Sequence, residues 1–233
     1  MNNYEFYSEF KDYAKKHLGV SGMQLHYWEQ LQNRIYSPSA SMTPYILEER
    51  EMRATQMDIF SRLMMDRILW VAGPVNDNMS TVVQAQLLYL DENSTSDITM
   101  YVDSPGGSVK SGLSMIDVMN YVHSDIITIN TGMAASMGSV LLGAGTKGKR
   151  FSLKHSKVML HQVSSGAQGN IQDLRITLAE SEKYNDVLFE LLGSYCGKTA
   201  KQVKKDATRD LWLTAAEAVE YGIIEEVIEK MEK

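Results

Sequence analysis

The sequence predicts an α/β protein in which helices cross over between the strands of a buried sheet. Residues 68–72, 98–102 and 126–129 are apolar or alternate apolar with polar residues, as buried strands do. Each segment is followed by a turn of small residues and then by apolar residues at helical spacing. This alternation of strand and helix is typical of a sheet covered by its connecting helices.

The remaining elements follow from the same patterns along the chain. The first crossover helix is predicted over residues 77–91, because Val83, Leu87 and Leu90 recur at helical spacing. The second is predicted over 109–122, and a helix of small residues over 138–145. Later elements are predicted as strands at 151–153 and 158–160, a long helix at 171–195, a helix at 199–206, a strand at 212–213, a helix at 214–221 and a strand at 223–228.

The first 42 residues differ from the rest and are predicted to form an N-terminal extension or pro-segment. They are aromatic and polar, with an amphipathic helix predicted over 4–17, and a run of small residues at 37–41 marks the boundary. The domain itself is predicted over 43–233. It opens with a short extended piece at 44–50, followed by a helical pattern that starts at Met57.

Composition excludes several function classes. The chain has 23 basic and 29 acidic residues, a net charge of −6, and its basic residues are scattered, which argues against nucleic acid as a partner. The single cysteine, Cys196, has no partner for a disulfide or a metal cluster. Because no stretch has the apolar run of a signal peptide or a membrane helix, we expect a cytoplasmic protein without membrane contact.

Ser136 lies where the apolar strand at 126–129 gives way to the helix of small residues at 138–145. A serine on such a turn can act as a nucleophile beside the unpaired N–H groups of the first helical turn. The alternative is structural, since Ala134, Ala135 and Gly138 are also small and would let a neighbouring element pack closely.

A second informative turn is Ser-Pro-Gly-Gly-Ser at residues 104–108, between a predicted strand and a predicted helix. Two adjacent glycines allow positive φ angles and an exposed backbone N–H, which suits an oxyanion donor or a contact with a substrate backbone. A plain tight turn is the alternative. The spacing of a phosphate-binding loop is missing.

A nucleophilic Ser136 would need a base, and the chain has five histidines. His161 is the best candidate, because it ends an apolar strand that would hold its side chain in place. No acidic residue lies between Ser136 and His161, so the acid comes from elsewhere in the chain. Spacing leaves Asp206 and Asp210 as open alternatives on the turn before Trp212.

Six spaced motifs resemble the ClpP family, the proteolytic subunits of Clp proteases, and the resemblance runs from about residue 43 to 228. The motifs are Ser-Pro-Gly-Gly-Ser at 104–108, Gly-Met-Ala-Ala-Ser-Met-Gly at 132–138, Gly-Lys-Arg-Phe at 148–151, Val-Met-Leu-His-Gln at 158–162, Gly-Ala-Gln-Gly at 166–169 and Arg-Asp at 209–210. The resemblance implies a Ser-His-Asp protease with Ser136 as nucleophile, His161 as general base and acid, and Asp210 orienting His161. It also implies that the N–H groups of Gly107 and Met137 form the oxyanion hole.

The resemblance further implies a crotonase-like α/β fold, a spiral of β-β-α units from which the long helix starting at 171 protrudes as a handle. It implies two stacked heptameric rings that enclose the active sites and cut unfolded polypeptides into short peptides. An AAA+ unfoldase would supply the substrates and use the ATP, so no cofactor is expected in this chain.

A hydrophobic pocket that docks the unfoldase is implied at the following positions: Tyr101, Tyr121, Ile129, Phe151 and Leu153. Two positions expected to be apolar there are Thr99 and Thr131. The chain also departs from the family pattern in the expected substrate groove, at Asp103 and at residues 154–155 and 163–165.

Two other functions are weighed beside an active peptidase. A specialised or weakly active structural subunit of a mixed Clp ring fits the departures, but inactive relatives lose Ser, His or Asp and this chain keeps all three. A crotonase-type acyl-CoA enzyme would need catalytic acids near Ser136, and none occurs between Met133 and His161.

Overall fold

The computed structural model describes residues 45–50, 53–164, 166 and 168–230. The chain divides into two compact units, Met1–Ile59 and Phe60–Lys233. In the first unit, strands β1 (Tyr45–Arg50) and β2 (Arg53–Asp58) form an antiparallel hairpin. The predicted extension over 1–42, its helix and its boundary with the domain from residue 43 lie outside the described residues and stay predictions.

The elements after β2 follow the predicted alternation closely. They are α1 (Ile59–Met65), β3 (Ile68–Ala72), α2 (Asp77–Asn93), β4 (Ile98–Ser104), α3 (Val109–Tyr121), β5 (Ile126–Ala135), α4 (Met137–Gly143), β6 (Arg150–Leu153), β7 (Lys157–Leu160), α5 (Ile171–Cys196), α6 (Ala200–Asp206), β8 (Leu211–Thr214), α7 (Ala215–Tyr221) and β9 (Glu226–Ile228).

Two elements start two or more residues later than predicted. Helix α1 starts at Ile59 rather than at Met57, because Met57 and Asp58 pair in the hairpin and their backbone groups bond to a partner strand. Strand β9 starts at Glu226 rather than at Ile223. The Ile223 N–H donates to the Ala218 carbonyl at 3.1 Å and so closes the end of α7 instead of joining the sheet.

The sheet confirms the predicted α/β class. Its strands run in the order β3-β4-β5-β6-β9, all neighbours parallel, with α2 and α3 as the first two crossover connections. Strand β7 pairs in parallel with the end of β5, and β8 pairs antiparallel with β7. The core between sheet and helices contains fully buried apolar side chains, such as those of Val71, Met100, Met115, Leu141 and Phe189.

Strand β5 continues past its predicted end at residue 129 to Ala135. It changes neighbour along its length: Thr128–Asn130 pair with β6, and Met133–Ala135 pair with β7. One long strand therefore delivers its carboxyl end directly to Ser136, beside the end of β7.

Helix α5 has 26 residues and is the predicted long helix. Asn170 caps its start by accepting from the N–H groups of Gln172 and Asp173, and Gly197 ends it with a left-handed φ of 64°. The buried residues, Leu188, Phe189, Leu192 and Gly193, all lie in its second half. Within the described ranges, no helix combines the length and the apolar character needed to cross a membrane.

A buried ion pair joins β6 to the segment before β9. The Arg150 side chain is 5% exposed, and its guanidinium donates to both carboxylate oxygens of Glu225. Burial of Glu225 opposes its ionisation, but hydrogen bonds from the Arg150 guanidinium and from backbone N–H groups outweigh it and lower the pKa of Glu225. The pair therefore stabilises the sheet edge in its charged form.

We expect Glu225→Gln to lower the free energy of unfolding by about 2 kcal/mol at pH 7, because it leaves the buried Arg150 charge unpaired. The expected loss is smaller than that for a fully buried ion pair, because Glu225 reaches solvent. The lowered pKa makes this stabilisation present above the ordinary Glu pKa and lost as pH falls through the folded value. The gap between wild type and variant should therefore narrow in acid. Urea unfolding at fixed protein concentration measures it.

The matched control is Glu229→Gln. Glu229 also pairs with a cation, Lys154, but both side chains are exposed, so its loss should change the unfolding free energy far less. An equal loss in the two variants would contradict the role given to the Arg150 pair.

Candidate active site

Ser136 occupies a strained turn between β5 and α4. Its φ of 54° and ψ of −124° are unusual for a residue with a side chain, and such strain concentrates at functional sites. Its N–H donates to the Met159 carbonyl at 2.9 Å, and its own carbonyl accepts from the Ser139 N–H and Oγ. These bonds hold the turn, which has the geometry of a nucleophile elbow.

Gly106 brings the turn at 104–108 against Ser136. A Cβ built on Gly106 would lie 2.6 Å from the Ser136 Cβ and 2.8 Å from the Met137 backbone nitrogen. Its φ of +88° is also in the left-handed region. In this turn a role was predicted for Gly107, but the close packing of Gly106 on Ser136 was not predicted. The pair of adjacent glycines in the sequence was the signal for both.

His161 directly follows β7, and its Nε2 lies 2.8 Å from the Ser136 Oγ. Strands β5 and β7 run in parallel, with Ala135 opposite Met159, so their carboxyl ends meet at one edge of the sheet. The structure thus brings together the predicted nucleophile and the predicted base within hydrogen-bond distance. A proton can pass directly between them.

Asp210 comes to the same edge through the antiparallel pairing of β7 with β8. Leu160 pairs with Leu211, so the next positions along this ladder are His161 and Asp210. The Asp210 Oδ1 lies 3.5 Å from the His161 Nδ1, an ion-pair distance longer than the roughly 2.8 Å of a charge-assisted hydrogen bond.

Asp206, the alternative acid, has other partners. It accepts hydrogen bonds from Gln202 at 2.7 Å and from the Tyr221 hydroxyl at 3.1 Å. The geometry therefore favours Asp210 over Asp206 as the partner of His161.

The backbone N–H groups of Gly107 and Met137 belong to the two segments that meet where Gly106 packs against Ser136. The Val75 N–H donates to Gly106 and the Ser108 N–H donates to Val75, both at 2.9 Å, so the bridge to Val75 does not use the N–H of Gly107. Met137 is the first residue of α4, where an N–H has no helical acceptor. These two N–H groups are the ones that the resemblance implies as oxyanion donors.

Cys196, the single thiol, is a poor rival nucleophile. It is the last residue of α5, and burial raises the pKa of its thiol to about 11, so it is protonated at neutral pH.

An apolar cavity of about 700 Å³ lies on the sheet face at the other end of the strands. Tyr101, Ile129 and Phe151 line it, together with Thr99, and Glu226 and Glu229 stand at its border. Leu153 lines a neighbouring cavity of about 640 Å³ with Thr131. The predicted docking residue Tyr121 lines neither cavity and is 78% exposed.

The apolar residues of the larger cavity that were not predicted are Ile68, Ile127, Val227 and Ile228. The signal was available in the strand period of two, because Ile127 and Ile129 necessarily point to the same face of β5.

Comparison with known proteins gives a consistent result. A family model described as Clp protease matches residues 49–231. The chain is 48% identical over 227 residues to the "ATP-dependent Clp protease proteolytic subunit" of Porphyromonas gingivalis, covering 97% of this chain and 100% of that protein. It is 48% identical over 223 residues to the protein of that name in Bacteroides fragilis, covering 95% and 99% of the two chains. For the Streptococcus pyogenes protein of the same name, identity is 45% over 194 residues, covering 82% and 99%.

Removal of the side chain at position 136 should release backbone strain. We expect the free energy of unfolding of Ser136→Gly to be about 1 kcal/mol higher than that of Ser136→Ala, because glycine adopts a φ of 54° freely. The relief of backbone strain exceeds the entropic cost of glycine in the unfolded state. Both variants lack the hydroxyl, so the comparison isolates the strain. Denaturant unfolding measures the difference, and an alanine variant at least as stable as the glycine variant would contradict it.

Proposed function

The chain belongs to the Clp protease family, and we propose that Ser136, His161 and Asp210 form the catalytic triad with which it cleaves polypeptides as a serine endopeptidase. The observation that carries this proposal is the 2.8 Å contact between the Ser136 Oγ and the His161 Nε2 on a strained strand-to-helix turn. Geometry of this kind identifies a triad independently of the order of its residues in the chain.

In the first half of the reaction, the Ser136 Oγ attacks the carbonyl carbon of a peptide bond while its proton passes to the His161 Nε2. The carbonyl π electrons move to oxygen, which becomes an oxyanion. His161 then donates the proton to the leaving amine as the C–N bond breaks, and an acyl-enzyme ester on Ser136 remains. The first product leaves as a neutral amine.

In the second half, a water molecule gives a proton to His161 and its oxygen adds to the ester carbonyl. His161 returns the proton to the Ser136 Oγ as that bond breaks, which releases the carboxylic acid product. Asp210 holds the His161 ring in the required orientation and stabilises its positive charge in both halves. The enzyme is regenerated without any external reductant or oxidant.

The N–H groups of Gly107 and Met137, in the two segments that pack together at Gly106, stabilise the oxyanion. Each donor of this type contributes about 3 kcal/mol to the stability of the transition state. Because both donors are backbone groups in a packed region, they need no rearrangement when charge develops.

The family associates with Clp ATPases and forms oligomers, and we propose two stacked heptameric rings for this chain, fed with unfolded polypeptides by an AAA+ unfoldase. Support comes from apolar side chains exposed on the first half of α5, among them Ile171 at 69% and Ile176 at 64%, which need a partner to cover them. ATP then belongs to the unfoldase, and the peptidase chemistry uses only side chains and backbone of this chain. The cytoplasm is the proposed location.

The cavity lined by Tyr101, Ile129 and Phe151 is the proposed docking site for the unfoldase. It is apolar, open to solvent and separate from Ser136, as a site for an inserted apolar side chain needs to be. Thr99 and Thr131 make the two cavities more polar than the family pattern leads us to expect.

The alternative, a specialised or weakly active structural subunit of a mixed Clp ring, is less well supported by the site. All three triad side chains are present and lie in contact, and the strained conformation of Ser136 has no structural use in a subunit that does not cleave.

We expect Asp210→Asn to lower kcat/KM for a fluorogenic peptide by about 10³-fold, because His161 loses the carboxylate that orients it and stabilises its charge. The matched control is Asp206→Asn, at the end of α6 and bonded to Gln202 and Tyr221, which should leave kcat/KM within about twofold. Labelling by a fluorophosphonate probe should occur in wild type and disappear in Ser136→Ala. Equal activity of the two Asp variants would exclude Asp210 from the triad.

Docking should be separable from catalysis. We expect Phe151→Ser to abolish degradation of a folded protein by the complex with the unfoldase, because the variant places a polar group in the docking cavity. Hydrolysis of a short peptide, which needs no unfoldase, should stay within about twofold of wild type in the same preparation. Loss of both activities, or of neither, would contradict this assignment.

A further inference from the structure

The Met137 side chain packs against the backbone of α3 at Gly112, and this contact connects the segments that carry the two proposed oxyanion donors. A Cβ built on Gly112 of α3 would lie 2.3 Å from the Met137 Cγ, 2.6 Å from its Sδ and 2.7 Å from its Cε. The methionine side chain therefore lies directly on the backbone of α3 at the position where the helix has no side chain of its own. The contact is apolar and fully enclosed.

Met137 has no room to move away from α3. Its side chain is only 1% exposed and belongs to the apolar core cluster. A methionine at the surface would adjust its flexible end at little cost, but in a close-packed interior the displacement passes to the backbone.

Each of the two contacting residues, Gly112 and Met137, is close in the chain to a proposed oxyanion donor. Gly112 makes the first helical hydrogen bond of α3, from its N–H to the Ser108 carbonyl at 3.0 Å, and Ser108 directly follows Gly107. At the other end, Met137 itself carries the second donor N–H. The start of α4 also packs against the turn at residues 104–108, since a Cβ on Gly138 would come within 2.7 Å of the Ser104 carbonyl oxygen.

We propose that the contact between Gly112 and the Met137 side chain sets the separation of the Gly107 and Met137 N–H groups, so that Gly112 is a positioning residue of the oxyanion hole. This inference rests on the proposed peptidase function. Gly112 touches neither substrate nor the reacting atoms and acts only through the distance between α3 and α4.

The test is Gly112→Ala in the full-length assembled protein, with kcat and KM measured on a fluorogenic peptide and inhibition measured with a peptide boronate, which forms a tetrahedral adduct with serine. We expect kcat to fall by about tenfold or more, since small misplacements of catalytic groups are costly, while KM changes by less than about twofold. The inhibition constant of the boronate should rise in step with the fall in kcat.

The partner variant Met137→Ala removes the three atoms that the new methyl group would meet. In that background, adding Gly112→Ala should change kcat by less than about threefold or raise it, because the methyl group occupies vacated space. If Gly112→Ala alone fails to fold, the comparison of Met137→Ala with the double variant tests the proposal. A fall in kcat of the same size in both backgrounds would overturn the proposal, as would an unchanged kcat in Gly112→Ala.

Gly193→Ala is the matched control. Gly193 is also a buried helical glycine whose Cβ would meet an atom within 3.0 Å, the Lys198 carbonyl oxygen, but it lies in α5. It should lose stability and keep its kcat, and a fall in its kcat equal to that of Gly112→Ala would show a general packing effect and overturn the proposal. Failure of the peptidase function itself is distinguishable, because the wild type would then neither cleave the peptide nor bind the boronate.

Discussion

The approach of two backbone segments at van der Waals distance is the constraint on which the site depends. Residues 104–108 lie against residues 135–138 so closely that a methyl group on Gly106 or Gly138 would overlap atoms of the other segment. This packing, together with the hydrogen bonds of Ser136 to Met159 and Ser139, holds the φ of 54° at Ser136. Strain at one residue is thus maintained by tight packing at its neighbours.

Sheet topology supplies the rest of the site. Parallel strands β5 and β7 end at one edge, which places Ser136 and His161 together, and β8 returns antiparallel to place Asp210 opposite His161. Three residues that are far apart in sequence therefore converge because strand ends converge. Each residue directly adjoins a paired strand, which restricts its position before any substrate arrives.

The sequence was sufficient for the alternation of strands and helices and for His161, because a local pattern of apolar residues marks the strand that precedes it. Ser136 was found from the change to a helix of small residues, although β5 continues to Ala135. The sequence was not sufficient to choose between Asp206 and Asp210 by spacing, since that choice depends on the register of β7 with β8, a contact between distant segments. For the same reason, Met57 was predicted to be helical although it pairs in the β1–β2 hairpin. The contact between Gly112 and Met137 leaves no trace in periodicity at all.

The three members of the proposed triad are not held equally. Ser136 and His161 follow strands of the buried sheet and lie at hydrogen-bond distance. Asp210 precedes β8, whose one partner strand among the described residues is β7, and the Asp210 side chain is 61% exposed. The 3.5 Å between Asp210 and His161 is the longest link in the site, and closing it by about 0.7 Å would give a charge-assisted hydrogen bond. Since β5 and β7 are fixed in the core, small shifts of the turn before β8 alter this link first. Alignment of the triad is therefore most sensitive to forces that act on the turn between α6 and β8.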